Sequence, residues 1–528
     1  MFNFIKNKKK LIPLFGIIFL LFFSCKKDPV TPEDCTPIIP PPPIDTCAIL
    51  SFKMDDALCA LDSVSNTFYF SIDKYEMNFS PKIEIENEPT EILINGNIIS
   101  NYAINDLGLV KVNEPIDVKL FYCDSIEKEY QLIFTRFPIL QITANQSILD
   151  NPKVAAEFRL NDPDFLENGM TQREFISVMG IELRGGSAQN FPKKSYAIEL
   201  WEEDLGINSV DTSFFGLRND DDWILDAMYS DIAKMRNRVS MDLWLDFNEL
   251  PYHDSEPNAK GATRGKFIEV FLGQEYMGVY VFSERIDRKQ LKLKSFEDGD
   301  DFGLLYKASR WENGTVLFNN YFDFDPISDY WEGWEHKYPD PFDEEIIWEP
   351  LANFTQFVIE SSDNDFKNQI EQKLEIDNAI DYLILLNLTR GDDNTGKNVY
   401  FSKYKQSEKF FMLPWDLDAT WGRFWNAAAT SPNGFLSNGL FDRLIETDAN
   451  DFKNKLKTRW STSRNNIFTK NNLMSRFQNY GEEMDISDVF QRDRSKWNLS
   501  NSLAEEMDHI NTWLDARLIF LDDYFENL

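Results

Sequence analysis

Residues 387–422 place acidic side chains at both ends of one predicted β-hairpin, and this arrangement constrains the fold more than any other stretch. A helical pattern of apolar residues precedes the hairpin, with Asp377 as its predicted N-cap, and stops at Gly391. Two β-like runs follow, at residues 398–404 and 409–413. The acidic residues that flank these runs are Asp392, Asp393, Asp416 and Asp418. Because the two ends of a hairpin lie side by side, we predict that these clusters converge.

Three polar residues of this stretch have the spacing that protein kinases use for phosphoryl transfer. The reaction needs metal-held phosphates and a carboxylate that orients the attacking hydroxyl, which protein kinases supply as D-x-x-x-x-N, a strand pair and a further Asp. Asp393 and Asn398 have this spacing, and Asp416 follows the second strand. Their oxygen atoms are hard ligands suited to Mg²⁺. Two other interpretations stay open: an acidic turn that caps backbone amides, and a Ca²⁺ site without catalysis.

The pattern of the first 47 residues predicts a signal peptide for export followed by a linker, and no folded domain. Residues 1–24 have the pattern of a signal peptide, because a lysine-rich start precedes an apolar run that is shorter than the about 20 residues of a membrane span. The run ends at Cys25 and resembles a bacterial lipoprotein signal, in which the Cys25 thiol carries the lipid. Residues 25–47 are proline-rich and predict an extended linker. We expect a lipid-anchored protein of the cell envelope, periplasmic or exposed on the outer membrane; an uncleaved signal anchor is the alternative.

The charge and cysteine content limit the classes of partner and cofactor. With 88 acidic and 54 basic residues, the formal net charge is −34, which argues against nucleic acid as a partner. Four cysteines other than Cys25 permit two disulfides in an oxidising compartment, with the pairing left open. They are Cys35, Cys47, Cys59 and Cys123. None has metal-ligand spacing, which argues against a zinc site.

Residues 48–137 predict a small all-β domain. Several segments alternate apolar and polar residues, and the pair Asn95-Gly96 between two apolar runs is a strong hairpin signal. We interpret this region as a β-sandwich, Ig-like in type, that serves as a spacer or a binding module.

Residues 138–528 predict a second, larger α+β domain. A glycine turn (Arg184, Gly185, Gly186, Ser187) leads into a strand on which Tyr196, Ile198 and Leu200 share one face. Such a turn lets backbone amides approach phosphate oxygens, although a plain hairpin would look the same. A helix capped by Ser230 or Asp231 and a strand pair at residues 265–272 and 277–283 follow. Protein kinases have this order of elements, so we predict a two-lobed, atypical protein-kinase-like domain preceded by the β-sandwich.

Five segments of the second domain resemble one family, the CotH-like atypical kinases named for a spore-coat protein. They are RGGSAQNFPKKSYAIEL (184–200), DDDWILDAMYSDIAKMRNRVSMDL (220–243), EVFLGQEYMGVYVFSERI (269–286), GDDNTGKNVYF (391–401) and PWDLDATWG (414–422). The resemblance covers most of residues 138–528 and leaves the β-sandwich outside.

The resemblance implies transfer of the ATP γ-phosphate to Ser or Thr of an unidentified protein substrate, with Mg²⁺. In this assignment Asp393 orients the substrate hydroxyl. Lys194 pairs with the nucleotide phosphates, with Lys193 as the alternative if the strand register slips. The implied metal ligands are Asn398, Asp416 and Asp418.

The resemblance also implies a set of nucleotide-binding residues. They are Arg184, Gly185, Gly186, Ser187 and Lys194, with Glu284 near the adenine. The predicted helix after Ser230 offers no Glu that could pair with Lys194. The alternative function is a non-catalytic lipoprotein that keeps the kinase-like fold for binding or adhesion at the cell surface.

Overall fold

A computed structural model describes residues 51–528, except residues 88, 123–125, 204–205 and 342–344. These residues belong to one compact unit, Cys47–Leu528. The predicted signal peptide (1–24), the lipidation site Cys25 and the linker (25–47) lie outside the described residues, as do Cys35, Cys47 and Cys123. Cys59 is a buried free thiol.

The N-terminal β region, residues 52–135, consists of short strands that surround one apolar core. Its main sheets have the strand orders β2-β1-β6-β9 and β3-β4-β12-β11-β7-β8, and β5 pairs with β10. The strands are β1 (Phe52–Met54), β2 (Ala57–Leu58), β3 (Ala60–Asp62), β4 (Thr67–Ser71), β5 (Glu76–Asn78), β6 (Lys82–Ile85), β7 (Glu91–Ile94), β8 (Asn97–Ile98), β9 (Ala103–Ile104), β10 (Leu109–Lys111), β11 (Ile116–Tyr122) and β12 (Ile126–Thr135). Side chains of both main sheets, such as Phe52 and Phe68, share this core. The Ig-like type and the predicted domain boundaries stay predictions.

The hairpin predicted at Asn95-Gly96 is confirmed. These two residues connect β7 and β8, whose Ile94 and Asn97 are paired. Asn95 and Gly96 have φ of 50° and 75°, the left-handed pair that a tight two-residue hairpin requires.

A closed seven-stranded barrel follows, in the order β13-β14-β15-β16-β19-β21-β20. The strands of this part are β13 (Ile139–Ala144), β14 (Val154–Asn161), β15 (Glu174–Arg184), β16 (Ser195–Trp201), β17 (Thr212–Ser213), β18 (Asn219–Asp220), β19 (Asp222–Asp226), β20 (Gly265–Leu272) and β21 (Glu275–Ser283). The predicted common face of Tyr196, Ile198 and Leu200 is confirmed, because all three side chains are buried in the apolar cluster of the barrel. The period of two along a strand explains why this face could be predicted.

A second sheet and most of the helices make up the rest of the chain. The sheet has the order β23-β24-β22-β25-β26. Its strands are β22 (Leu304–Ala308), β23 (Tyr330–Trp331), β24 (Trp334–Tyr338), β25 (Val399–Lys403) and β26 (Phe411–Pro414). The helices are α1 (Arg236–Phe247), α2 (Arg288–Leu291), α3 (Glu349–Glu360), α4 (Asp363–Gln369), α5 (Ile376–Thr389), α6 (Gly439–Thr447), α7 (Phe452–Arg464), α8 (Lys470–Ile486), α9 (Val489–Trp497) and α10 (Leu503–Glu526). The protein is therefore a mixed α/β protein with a strand-rich N-terminal part and a helical C-terminal part.

Two predicted helix starts are wrong. Helix α5 has Glu375 as its N-cap, and Asp377 lies in its first turn. Helix α1 begins only at Arg236, because Lys234 has a left-handed φ of 62° that a right-handed helix cannot include. The Asp231 carboxylate accepts a hydrogen bond from the Arg236 backbone N–H at 2.6 Å, so it holds the loop before the helix rather than the helix N-cap position.

Helix α10 is the longest helix of the described chain and has a complete capping box. The Ser502 hydroxyl accepts a hydrogen bond from the Glu505 N–H at 3.1 Å, and the Glu505 carboxylate accepts one from the Ser502 N–H at 2.8 Å. Across residues 51–528, apart from the gaps given above, no helix combines the length and the apolar character that a membrane crossing requires.

The capping box predicts a measurable loss of stability on substitution. Ser502→Ala removes the hydroxyl that accepts the hydrogen bond from the Glu505 N–H, so we expect the free energy of unfolding to fall by about 1 kcal/mol. Urea unfolding of the whole chain measures this change. Ser502→Asp keeps an acceptor at the N-cap and should behave like the wild type. Equal stability of all three proteins would contradict the assignment.

Candidate functional site

The ends of the hairpin β25–β26 bring Asn398 and Asp416 together, as the sequence predicted. Val399 pairs with Pro414, and the Trp415 N–H donates to the Asn398 carbonyl at 3.1 Å. The Asn398 amide nitrogen lies 3.4 Å from an Asp416 carboxylate oxygen. Both residues have left-handed backbones, with φ of 56° and 54°. Asn and Asp tolerate this conformation better than other side chains, and it turns both side chains out of the strands.

Asn394 closes the base of the hairpin, a role that the sequence did not reveal. Its buried side-chain amide donates to the carbonyls of Asn398 at 3.0 Å and Trp415 at 2.7 Å. The backbone carbonyl of Asn394 accepts a hydrogen bond from the Tyr382 hydroxyl at 2.8 Å. A Cβ at Gly391 would lie 2.8 Å from the Asn394 side-chain oxygen, so the glycine leaves room for this amide. In the sequence, Asn394 was only one polar residue of an acidic turn.

A cavity of about 690 Å³ lies between the barrel and the β25–β26 hairpin. Most of the predicted site residues line it together. They are Arg184, Gly185, Gly186, Ser187, Asp393, Asn398, Asp416 and Asp418. Asp393 lies in the short turn before the hairpin, and its carboxylate is 3.1 Å from the Lys397 ammonium. The cavity therefore joins the predicted glycine turn with both acidic clusters, which are far apart in the sequence.

Two predicted site residues lie outside the cavity lining. The Lys194 ammonium donates to the carbonyls of Gln189 at 2.7 Å and Phe191 at 2.6 Å, so it closes its own loop. Glu284 is fully buried, and its carboxylate accepts hydrogen bonds from the backbone N–H groups of Arg218 at 3.0 Å and Arg264 at 2.9 Å. Both side chains have intramolecular partners, and the roles that the sequence assigned to them stay predictions.

Lys193, the alternative named from the sequence, does line the cavity, together with Ser195. The alternation of side chains along strand β16 could have indicated that Lys193, and not Lys194, lines the cavity. Because Tyr196, Ile198 and Leu200 face the barrel core, residues of the opposite parity face away from it. Lys193 and Ser195 have that opposite parity.

Two cations of the cavity, Arg184 and Lys307, have no ion-pair partner among the described residues, and Lys307 was missed in the sequence. The Arg184 guanidinium lies 5.3 Å and the Lys307 ammonium 5.6 Å from the centre of the Trp415 ring. Neither group forms a hydrogen bond or an ion pair with any residue that the structure describes. Burial lowers the pKa of Lys307 to about 8 despite the opposing charge of Glu335. Two cations on the same side of the cavity, without an ion-pair partner among the described residues, favour a phosphate group there.

Carboxylates crowd the opposite side of the cavity. Although Asp416 is accessible from the cavity, desolvation by the surrounding protein and the nearby Asp226 charge raise its pKa. Burial and the Asp416 charge raise the pKa of Asp418 well above its usual range, although the Ser230 hydroxyl donates to its carboxylate. Asp226, at the end of β19, was not singled out in the sequence. A divalent cation would relieve this repulsion, and the oxygen atoms of Asn398, Asp416 and Asp418 suit a hard ion such as Mg²⁺.

A second acidic group, formed by Asp211, Asp220 and Asp221, lies outside this cavity. The Lys289 ammonium is 2.7 Å from Asp220 and 3.0 Å from Asp221, and Arg218 also pairs with Asp220. Protein cations thus already neutralise Asp220 and Asp221, so most of this cluster is a network of ion pairs.

Comparison with known proteins places this geometry in context. Residues 181–521 match the family described as CotH kinase protein. The chain is also 22% identical to the inner spore coat protein H of Bacillus subtilis (strain 168) over 294 residues, or 55% of this chain and 72% of that protein. The family match contains every residue that lines the cavity. The N-terminal β region and strands β13 and β14 precede it.

The closure by Asn394 predicts a defined stability loss. Asn394→Ala leaves the Trp415 carbonyl without this donor, so we expect the free energy of unfolding to fall by about 1–3 kcal/mol. Urea unfolding is the measurement. The control Asn471→Ala, on the exposed side of α8, should change stability by less than about 0.5 kcal/mol. Equal effects of the two substitutions would show that Asn394 does not hold the hairpin.

Proposed function

Because the chain belongs to the CotH kinase protein family, we propose that it is an ATP-dependent protein kinase that phosphorylates Ser or Thr of a protein substrate with Mg²⁺. One observation carries this proposal: the same cavity contains the Asn398–Asp416 pair and two cations, Arg184 and Lys307, that form no ion pair with a described residue. An oxygen-rich side suits a metal ion, and a cationic side suits phosphates. A protein that only adheres to a surface needs neither in this combination.

The cavity residues divide into three roles in this proposal. Asn398, Asp416 and Asp418 hold Mg²⁺, which when bound neutralises charge on the phosphate oxygens. Arg184 and Lys307 bind the phosphates directly, and the glycine turn Gly185–Gly186 lets backbone amides approach them. Lys307 takes the place that the sequence assigned to Lys194, because its ammonium faces the cavity and lacks a partner among the described residues.

Asp393 orients the acceptor hydroxyl in the transfer step. Its carboxylate accepts the hydroxyl proton as the acceptor oxygen bonds to the γ-phosphorus and the bond from that phosphorus to the ADP oxygen breaks. Its place on the short turn before β25 puts it on the same cavity wall as Asn398. The Lys397 ammonium lies 3.1 Å from this carboxylate.

A smaller cavity of about 350 Å³ continues from the first and suits the nucleoside. The two cavities share Arg184, Gly185 and Lys307 in their walls. The smaller one is lined mostly by polar and charged groups, which would offer hydrogen bonds to the nucleoside, and by a smaller apolar surface for the adenine ring. Its apolar lining residues are Leu183, Ala197, Trp223, Ile224, Ile286, Leu305, Tyr400 and Trp415.

The arrangement supports a two-lobed kinase-like architecture as part of the proposal. The barrel strands β15, β16 and β19 contribute one wall of the cavity, and the sheet that contains β22 and β25 contributes the other. We assign the barrel to the nucleotide-covering lobe and the helical part with the hairpin to the catalytic lobe.

We propose the cell envelope as the location, with a lipid on Cys25 as the membrane attachment. The sequence pattern of residues 1–24 supports export. The relative from Bacillus subtilis is named an inner spore coat protein. An exported kinase requires a source of ATP outside the cytoplasm; phosphate transfer from labelled ATP added to intact cells would test whether the active site is accessible from outside.

Two substitutions separate metal binding from transfer. Asp416→Asn removes a charged ligand and should abolish Mg²⁺-dependent ATP binding. Asp393→Asn should leave ATP binding intact and lower the transfer rate by about 10²–10⁴-fold, the usual contribution of a positioned acid–base group. Binding calorimetry and transfer of labelled phosphate measure the two effects. Asp508→Asn, an exposed position on α10, is the control and should match the wild type.

Assays of the wild-type protein distinguish kinase activity from the non-catalytic binding or adhesion alternative. A folded chain that binds Mg²⁺-ATP and transfers no phosphate to itself or to a Ser-rich acceptor would support the binding or adhesion alternative. A folded chain without any affinity for ATP would contradict the nucleotide site itself.

We expect substitutions of Lys307 and Lys194 to have different effects on ATP affinity. Lys307→Met removes a cavity cation and should weaken ATP binding by about tenfold to a hundredfold, the range of a hydrogen bond to a charged group. Lys194→Met removes contacts to two loop carbonyls and should affect stability rather than affinity. Titration of each folded variant with ATP gives the comparison, and the reverse order would restore the role predicted for Lys194.

A further inference from the structure

Two exposed tryptophans line the cavity of about 690 Å³. The chain has 13 tryptophans, all within the described residues, and Trp311 and Trp425 are the two that are exposed, at 43% and 58%. Both share the cavity wall with Asp393 and Asp416. Single exposed apolar residues are common on protein surfaces, but two large indole rings at one cavity indicate a surface that contacts a ligand or a partner.

The two indole groups are free to bind such a molecule. Within the part of the chain that the structure describes, neither N–H donates a hydrogen bond, and neither ring pairs with another aromatic ring or with a cation. By contrast, the indole N–H of Trp421 donates to the Ser240 hydroxyl at 2.8 Å. Each exposed indole therefore offers one hydrogen-bond donor and one apolar face.

Trp311 lies beside the turn that carries Asp393. A Cβ at Gly396, the residue that follows this turn, would lie 3.4 Å from the Trp311 ring. The Trp311 carbonyl accepts a hydrogen bond from the Gly314 N–H at 3.0 Å, so its loop is closed. The ring is thus held next to the residue that orients the acceptor hydroxyl, and its loop needs little ordering when a ligand binds.

Trp425 also lies in a closed turn. The Phe424 N–H donates to the Ala428 carbonyl at 2.8 Å, across the turn that contains Trp425. The residue before it, Arg423, forms an ion pair of 2.6 Å with the buried Glu506 of helix α10. The second indole is therefore fixed to the helical part of the protein.

The most exposed cation of the cavity wall is Arg310, which directly precedes Trp311. Its side chain is 73% exposed, and its ion pair with Glu312 has a separation of 3.9 Å. Such a long, exposed pair is weak, so the guanidinium remains available to a carboxylate from another molecule.

We propose that Trp311, Trp425 and Arg310 form the acceptor-binding surface, and that this surface binds an extended segment of the protein substrate with an aromatic or large apolar side chain and an acidic residue close to its Ser or Thr. The inference rests on the proposed function and names the class of acceptor. The apolar side chain packs against the indole rings, and the indole N–H groups donate to backbone carbonyls of the segment. The acidic side chain pairs with Arg310, which a neutral carbohydrate on the same rings would leave without a new partner.

Phosphate transfer to synthetic peptides tests the proposal in the full chain. Each peptide has one central Ser, with Phe or Ala and Glu or Lys at the positions within three residues of it. We expect kcat/KM for the best peptide with Phe and Glu to exceed that of its counterpart with Ala and Lys by about tenfold or more. Equal kcat/KM for all peptides would overturn the proposal.

Substitutions assign the preferences to residues. Trp311→Ala and Trp425→Ala should each reduce the preference for Phe, and Arg310→Gln should remove the preference for Glu, while ATP affinity without peptide stays unchanged. Trp311→Phe keeps a ring and covers the case in which the alanine variant does not fold; it should raise KM for the peptide and leave kcat unchanged. Tyr102→Ala, at an aromatic position of the N-terminal β region that is 55% exposed, is the matched control. Preferences that persist in all the cavity variants would contradict the proposal.

A binding measurement separates this proposal from the proposed function. If the wild type transfers no phosphate, calorimetry with the peptide that contains Phe and Glu is carried out in the presence of Mg²⁺ and an ATP analogue that cannot transfer its γ-phosphate. Peptide binding that Trp311→Ala weakens would support the surface and contradict the kinase activity. Absence of peptide binding, or tighter binding of a neutral oligosaccharide, would overturn the acceptor assignment.

Discussion

The amide of Asn394, with its hydrogen bonds to two carbonyls at the base of hairpin β25–β26, supports the whole arrangement of the site. The hairpin places Asn398 and Asp416 side by side, but strand pairing ends at Val399 and Pro414. Beyond that point the backbone is left-handed at both residues, and one backbone hydrogen bond, from Trp415 to Asn398, continues the pairing. Asn394 adds two hydrogen bonds from the interior, where they face little competition from water.

The second organising feature is the unequal distribution of charge in the cavity. Carboxylates repel one another on one side, while Arg184 and Lys307 have no partner among the described residues on the other. Each half would be costly in isolation, since burial disfavours charge without compensation. A magnesium nucleotide presents a cation to the first half and phosphates to the second. The site is thus complementary to a ligand that carries both charges, in a protein whose overall charge would otherwise repel an anion.

Buried ion pairs link this site to distant parts of the chain. Asp493 lies between Lys193 and Lys234, and Arg492 lies between Glu269 and the N-terminal β region. Such pairs contribute less to stability than to geometry, because desolvation offsets much of their attraction. Their effect is to fix which elements touch. The N-terminal β region, which precedes the matched family range, contacts the family domain through the helix that carries Asp493.

The sequence alone determined the features that depend on neighbours along the chain. Spacing across one hairpin brought Asp393, Asn398 and Asp416 into a common group, alternation identified the core face of β16, and Asn95-Gly96 marked a tight turn. Only the tertiary structure decided which lysine lines the cavity, that Glu284 is held by backbone amides, and that Lys307 and Asp226 also line the cavity. The physical reason is that hairpins, turns and strand faces follow from local backbone geometry. Burial and charge pairing instead depend on side chains that meet only after strands and helices hundreds of residues apart have packed together.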